Sequence, residues 1–231
     1  MHNLPKTSKY LLIIALLLLS VLQFNYARLE VMCETVLLNN YHPRLHAAKI
    51  RMANAHNNWP DVKYLNLFNV ISQYRHSTAI YTGAVIIPSL QMDVPLAAYT
   101  ADDVYTLGAG MLVPHPFAES NEFIIGAHNI GYSSTALFTP LTSHRLIGRT
   151  VLVTNGKSVK EYKITATKVI MPSQVDIVFK NAPNHLILLT CTDNNKKRLL
   201  VKCEFKNEYS IKYLHSRVKK EVKKKYRLHN I

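Results

Sequence analysis

The sequence predicts a mainly β domain, a small barrel or sandwich with short helices, carried behind an N-terminal apolar helix. Three observations predict it. All seven glycines fall between Gly83 and Gly156. Short apolar or alternating runs crowd residues 81–205, too short for helices and bounded by turn residues. Asn155-Gly156, a strong two-residue hairpin signal, joins two of those runs.

In chain order, residues 1–27 hold Tyr10 to Phe24, an apolar run behind Lys6 and Lys9. Extended to Tyr26 it makes a helix about 25 Å long, a slightly short bilayer span. Asn25-Tyr26-Ala27 lacks the small −3 residue of a cleavage site, so a retained anchor is favoured over a cleaved signal peptide. The preceding lysines keep the N-terminus cytoplasmic and send the remainder outside. Residues 28–80 contain no glycine and repeat apolar residues at helical spacing (Leu65, Phe68, Ile71), which predicts a helical stalk with a structural role. Cys33, in this stretch, is expected as a small buried hydrophobe. Within 81–205 the predicted strands are 81–88, 123–128, 149–154, 158–170, 186–191 and 198–205, with a turn or two of helix at 134–143. Residues 206–231 form a basic tail. Ile211, Leu214, Val218, Val222 and Tyr226 mark a narrow apolar stripe, fitting either a membrane-surface helix or a solvated tail.

The net charge is +14, and the last 26 residues, with nine Lys/Arg against two Asp/Glu, carry half of it. Such a balance suits nucleic acid, an anionic membrane or a wall polyanion. Nucleic acid is set aside, because zinc-finger spacing, aromatic RNA-binding motifs and a glycine-rich phosphate loop are all missing from the sequence. Cys33, Cys191 and Cys203 are too few for a disulfide framework.

The chemistry centres on residues 185–203. The run Leu186 to Leu189 reads as a buried strand ending on Thr190-Cys191, and Arg198 opens the next strand after a polar turn. Paired as a hairpin, the two strands set Cys191 opposite Arg198. Leu199, Val201, Cys203 and Phe205 then share the face opposite Arg198, Leu200 and Lys202. In that register Cys203 lies about 16 Å from Cys191, beyond disulfide reach, so Cys191 is a free thiol. A thiol attacks as the thiolate and needs a base and a positive field. Arg198 supplies the field. Among eleven histidines, His128 is singled out because it ends a strand, Phe123-Ile-Ile-Gly-Ala-His, that opens into a loop. His185 is the rival in sequence, but it sits at the far end of the strand from Cys191, about 20 Å away.

Ile187-Leu188-Leu189-Thr190-Cys191, followed by an arginine on the next strand, resembles the sortase signature, with Ile187 in place of its first Thr. Gly126-Ala127-His128-Asn129 and Leu137-Phe138-Thr139-Pro140-Leu141 are similar to the family's histidine strand and following helix. Leu107-Gly108-Ala109-Gly110 and Gly83 to Pro88 are similar to its earlier segments. The resemblance spans about residues 82–205 and keeps the order His, Cys, Arg.

It implies a closed sortase-type β-barrel and a membrane-anchored, class A-like cysteine transpeptidase of Gram-positive bacteria. Such an enzyme cleaves a Leu-Pro-x-Thr-Gly sorting signal between Thr and Gly through a thioacyl intermediate. It joins the surface protein to an amine of a peptidoglycan precursor. By the same resemblance Cys191 is the nucleophile, His128 the acid/base and Arg198 the stabiliser of substrate or oxyanion. Thr190 and Ala127 beside them bind substrate, and Ile170, Met171, Pro172, Val175 and Ile177 wall the Leu-Pro pocket. No cofactor is implied. No metal is expected, since Asp176 is the only acidic residue in 169–184. Two other readings use the same residues: a membrane-tethered, non-catalytic module binding anionic wall polymers, and a cysteine hydrolase that hands its acyl group to water.

Overall fold

The computed structural model describes residues 6–46, 63–112, 123–143, 145–174, 185–192 and 194–228. Eight strands form a closed barrel: β1 (Gly83–Ile87), β2 (Met92–Ala97), β3 (Ala109–Met111), β4 (Phe123–Ala127), β5 (Thr150–Thr154), β6 (Ser158–Ile170), β7 (His185–Thr192) and β8 (Lys197–Ser210). Their order around the ring is β1-β2-β3-β4-β7-β8-β6-β5. Only β2–β3 and β4–β7 are parallel. The helices are α1 (Lys6–Asn39), α2 (Leu67–His76), α3 (Asp102–Leu107), α4 (Pro140–Ser143) and α5 (Ser216–Tyr226).

Alternation along each strand explains the layering. Val85, Ile87, Val151, Val153, Leu186, Leu188, Leu199, Val201 and Cys203 point into the barrel core. Their neighbours Ala84, Ile86 and Leu152 point outward, yet are also buried, because α5 lies over them. That second cover makes β1 apolar at every position rather than at alternate ones. The β5–β6 hairpin turns on Asn155-Gly156: Asn155 Oδ1 accepts from the Lys157 and Ser158 amides (2.9 Å each), and Gly156 takes φ +83°.

Two strands escape the sequence patterns. β2 contains Pro95, which argues against a strand. It is tolerated because pairing with β3 begins only at Leu96, so the missing N–H interrupts no bond to β3. β3 is three residues long and carries Gly110. β8 also runs five residues past Phe205. There it pairs with the first half of β6, from Ser158↔Ser210 onward, and its own residues from Glu204 to Ser210 are exposed or half-buried, so no apolar alternation marks the extension.

The C-terminal segment corrects both sequence readings of the tail. The stripe Ile211, Leu214, Val218, Val222 and Tyr226 is neither a membrane face nor solvated; it packs on the outer side of the barrel. Tyr226 is 1% exposed. Its hydroxyl bonds Asp93 on β2, and Lys225 pairs with the same carboxylate at 3.9 Å. Burial pushes the Asp93 carboxyl up, while Lys225 and Tyr226 pull it back. Tyr226→Ala removes a fully buried aromatic and is expected to cost about 3–5 kcal/mol. A lowered melting temperature of the detergent-solubilised chain, with a smaller drop for Tyr226→Phe, checks this.

Among the described residues one helix, Thr7–Asn39 within α1, is long and apolar enough to cross a membrane, and its apolar window is unburied. The helix continues through residue 27 without a break and docks on the barrel through its last turns. Thr35 Oγ1 lies 2.6 Å from Ser134 Oγ, Asn39 Nδ2 donates to Thr135 Oγ1 (2.8 Å), and Leu38 joins the core. Cys33, expected to be buried, is exposed on this helix, at an open cleft it shares with Leu67, Ile71 and Tyr74 of α2. In α2 the buried position is Val70, whereas Phe68 is 80% exposed. The periodic stripe therefore does not mark the packed face.

Candidate active site

Strand register alone brings the predicted residues to one rim. β7 and β8 pair so that Cys191 lies opposite Arg198. β6 pairs with β8 so that Ile170 lies opposite Arg198 on the other side. β4 runs parallel to β7 with Gly126 beside Leu189; two residues further on, His128 comes level with Cys191. Ile170, Arg198, Cys191 and His128 thus form a row across four adjacent strands, which are about 4.8 Å apart. Ala127, His128, Thr190, Cys191 and Arg198 all line one cavity of about 650 Å³.

Hydrogen bonds fix this row. Thr190 Oγ1 donates to the Ala127 carbonyl (2.8 Å), tying β7 to β4 immediately beneath the site. Thr190 is 2% exposed, so its hydroxyl serves the barrel first. Asn129 Nδ2 donates to the Cys191 carbonyl (3.0 Å), while its Oδ1 accepts from the Gly131 amide (3.0 Å). The His128 carbonyl accepts from the Phe138 amide (3.1 Å), folding the following loop back onto the strand. Arg198 Nη1 donates to the Asn195 (2.9 Å) and Lys197 (3.1 Å) carbonyls, which brace the guanidinium. Its Nε is buried without a hydrogen-bond acceptor among the described residues. A buried cationic N–H left unmatched is costly, and a substrate carbonyl or oxyanion would satisfy it.

Burial also sets the protonation states. The Cys191 thiol is pushed up by burial, with Arg198 pulling it down. His128 is lowered to about 4 by burial, opposed by Asp102 and a hydrogen bond to the Lys63 backbone. The resting pair at neutral pH is therefore thiol and uncharged imidazole. The His128 ring stands edge-on to the Tyr105 ring from α3, centroids 5.9 Å apart.

The cavity has a wall that the sequence reading assigned to a structural stalk. Ala27, Glu30 and Glu34 of α1 and residues Lys63 to Asn66 line it opposite the barrel rim. The Leu67 amide donates to Glu30 Oε1 (3.3 Å), linking the two parts. Below the rim, on the outer barrel face, Leu112, Ile124, Ile170, Ile187 and Leu189 form a separate buried apolar cluster against which Leu200 packs. Ile170 is its only member that the sequence reading placed in the Leu-Pro pocket wall. Met171 and Pro172 follow it and are exposed. Val175 and Ile177 lie outside the described residues. His185 pairs with Glu204 at the opposite end of β7, away from the row. Tyr105, Asn129, Glu30 and Glu34 were not singled out from sequence. Asn129, directly after the strand-ending histidine, was the one with a usable signal.

A family model of the sortase domain matches residues 85–206, more than half of the chain. Among solved structures, the chain is similar to sortase A of Listeria monocytogenes at 20% identity and TM-score 0.52, covering 65% of this chain and 99% of that one. It is also similar to sortase C-1 of Streptococcus pneumoniae (34% identity, 55% and 67% covered, TM-score 0.48) and to sortase C1 of Streptococcus suis (26% identity, 59% and 79% covered, TM-score 0.49). A search of curated protein sequences found no match. The likeness to the Listeria structure agrees with the closed eight-strand barrel, and the domain match fixes the relationship: the chain belongs to the sortase family.

Proposed function

We propose that this sortase is a membrane-anchored cysteine transpeptidase acting on Leu-Pro-x-Thr-Gly sorting signals. It cuts between Thr and Gly and transfers the surface protein to an amine of a cell-wall precursor outside a Gram-positive cell. The observation that carries the reading is the row of Arg198, Cys191 and His128 across three adjacent strand ends, facing one cavity.

In this reading the Cys191 proton passes to His128, and the thiolate attacks the Thr carbonyl carbon. The C–S bond forms and the oxyanion is held by the Arg198 guanidinium. The C–N bond to Gly then breaks, and the imidazolium of His128 gives its proton to the leaving amine. The acceptor amine attacks the thioester, loses its proton to His128, and expels the Cys191 thiolate. The Thr190 and Asn129 hydrogen bonds hold the Cys191 backbone while this happens. Met171 and Pro172, exposed just past the end of β6, supply apolar surface for the Leu-Pro segment.

The test is product analysis. The full chain in detergent, given a Leu-Pro-x-Thr-Gly peptide and a glycine-based amine, is expected to yield the amine-joined product as the main species by mass spectrometry. Free acid alone in the presence of the amine would instead make the chain a hydrolase, and an intact peptide would remove the substrate assignment.

A further inference from the structure

The last apolar residue of the membrane run, Tyr26, is followed at once by Ala27, and Ala27 already lines the catalytic cavity. α1 contains neither glycine nor proline from Lys6 to Asn39, so no helix breaker separates the span from the docked turns. The bonds of Thr35 and Asn39 to Ser134 and Thr135 then hold the barrel at a set height along the helix.

Around that height the surface is unusually aromatic. Phe68 is 80% exposed, Tyr64 78% and Tyr132 61%. The Leu67 amide bonds Glu30, so Tyr64 and Phe68 flank the turn of α1 at residue 30. Tyr132, from the loop after His128, shares a cleft with Arg28 and Val31. Residue 30 is four residues beyond Tyr26, about 6 Å along the axis. The polar headgroup layer on each side of a bilayer is of similar depth, about 5–8 Å. Exposed aromatic side chains are costly in water and are favoured at that layer, where an apolar body and a polar tip are both accommodated. Arg28 and Lys63, at the same level, match anionic headgroups.

We propose that Tyr64, Phe68 and Tyr132, with Arg28 and Lys63, form the surface by which the catalytic domain rests in the headgroup layer of the bilayer that α1 crosses. The catalytic cavity then opens at the lipid–water boundary, and its substrates enter along the membrane plane. The inference rests on α1 crossing the membrane and is independent of the chemistry assigned to Cys191.

Trp59 is the only tryptophan in the chain, which permits a direct test. In a Trp59→Phe background the full chain is reconstituted into phosphatidylglycerol–phosphatidylcholine vesicles. It carries Phe68→Trp, Tyr132→Trp or Tyr213→Trp. Residue 213 is 82% exposed and lies beyond the end of β8 remote from Arg198. Lipids labelled with a quencher near the headgroup are expected to quench Phe68→Trp and Tyr132→Trp several-fold more than Tyr213→Trp, with blue-shifted emission. The same pattern is expected with Cys191→Ala added. Equal, weak quenching at all three sites in a chain that resists carbonate extraction overturns the proposal. Blue shifts that follow protein density without lipid quenching also overturn it, in favour of a second copy of the chain. Release by carbonate overturns the membrane span itself.

Discussion

Cys191→Ala is expected to abolish cleavage of the sorting peptide, lowering kcat/KM on the order of 10⁴-fold or more. The size follows from the role. Without sulfur no thioacyl bond can form, and water has no comparable route to the Thr carbonyl through the same residues. The fold should be indifferent to the change. Cys191 is only partly buried, its side chain makes no hydrogen bond among the described residues, and the Asn129 bond goes to its backbone. The measurement is therefore paired: loss of product and of any trapped peptide adduct, with an unchanged melting temperature. Full activity in the alanine variant would end the assignment of nucleophile.

His128→Ala is expected to lower kcat/KM by about 10²–10⁴-fold and to change the shape of its pH dependence. The productive form is thiolate with imidazolium. Because burial holds His128 near 4 and the Cys191 thiol above its ordinary 9.0, the two groups exchange one proton internally across the whole neutral range. The productive fraction is small there but constant, so wild-type log kcat/KM should be flat from about pH 5 to about pH 9. Below that window the thiolate is lost as the imidazole holds its own proton; above it the imidazolium is lost. Without His128 the thiolate must form by loss to solvent, and log kcat/KM should climb with pH through the region where the wild type is level. A variant that stays level at a reduced rate would show that His128 positions the substrate and moves no proton.

How much of this was legible beforehand differs by element. The Cys191–Arg198 pairing follows from hairpin geometry, since the polar turn fixes which residues face each other. The two faces of β8 follow from period-two alternation, and both are as the sequence predicts. His128 was legible only because a strand ended on it; that it stands beside Cys191 depends on a parallel pairing between strands 57 residues apart in the chain, which no local pattern encodes. β2 was hidden by Pro95. The tail was misread because an apolar stripe records that something covers it, not what; the cover is the outer face of β1, β5 and β6, itself buried twice over. The same limit hid the cavity wall. Helical spacing in residues 28–80 announced a packed side, but Glu30, Glu34 and residues 63–66 reached the site through tertiary docking alone.

The strand circuit is complete, and this constrains how a peptide can be gripped. Proteins that handle extended peptides often let the guest join an open sheet margin, borrowing main-chain bonds that read no particular side chain. Here every strand beside the thiol already has a partner on both flanks. A guest peptide must therefore be held from above, by pockets and a fork of donors, so discrimination falls on its side chains. A short signal of fixed residue types suits such a host far better than a long stretch of arbitrary sequence.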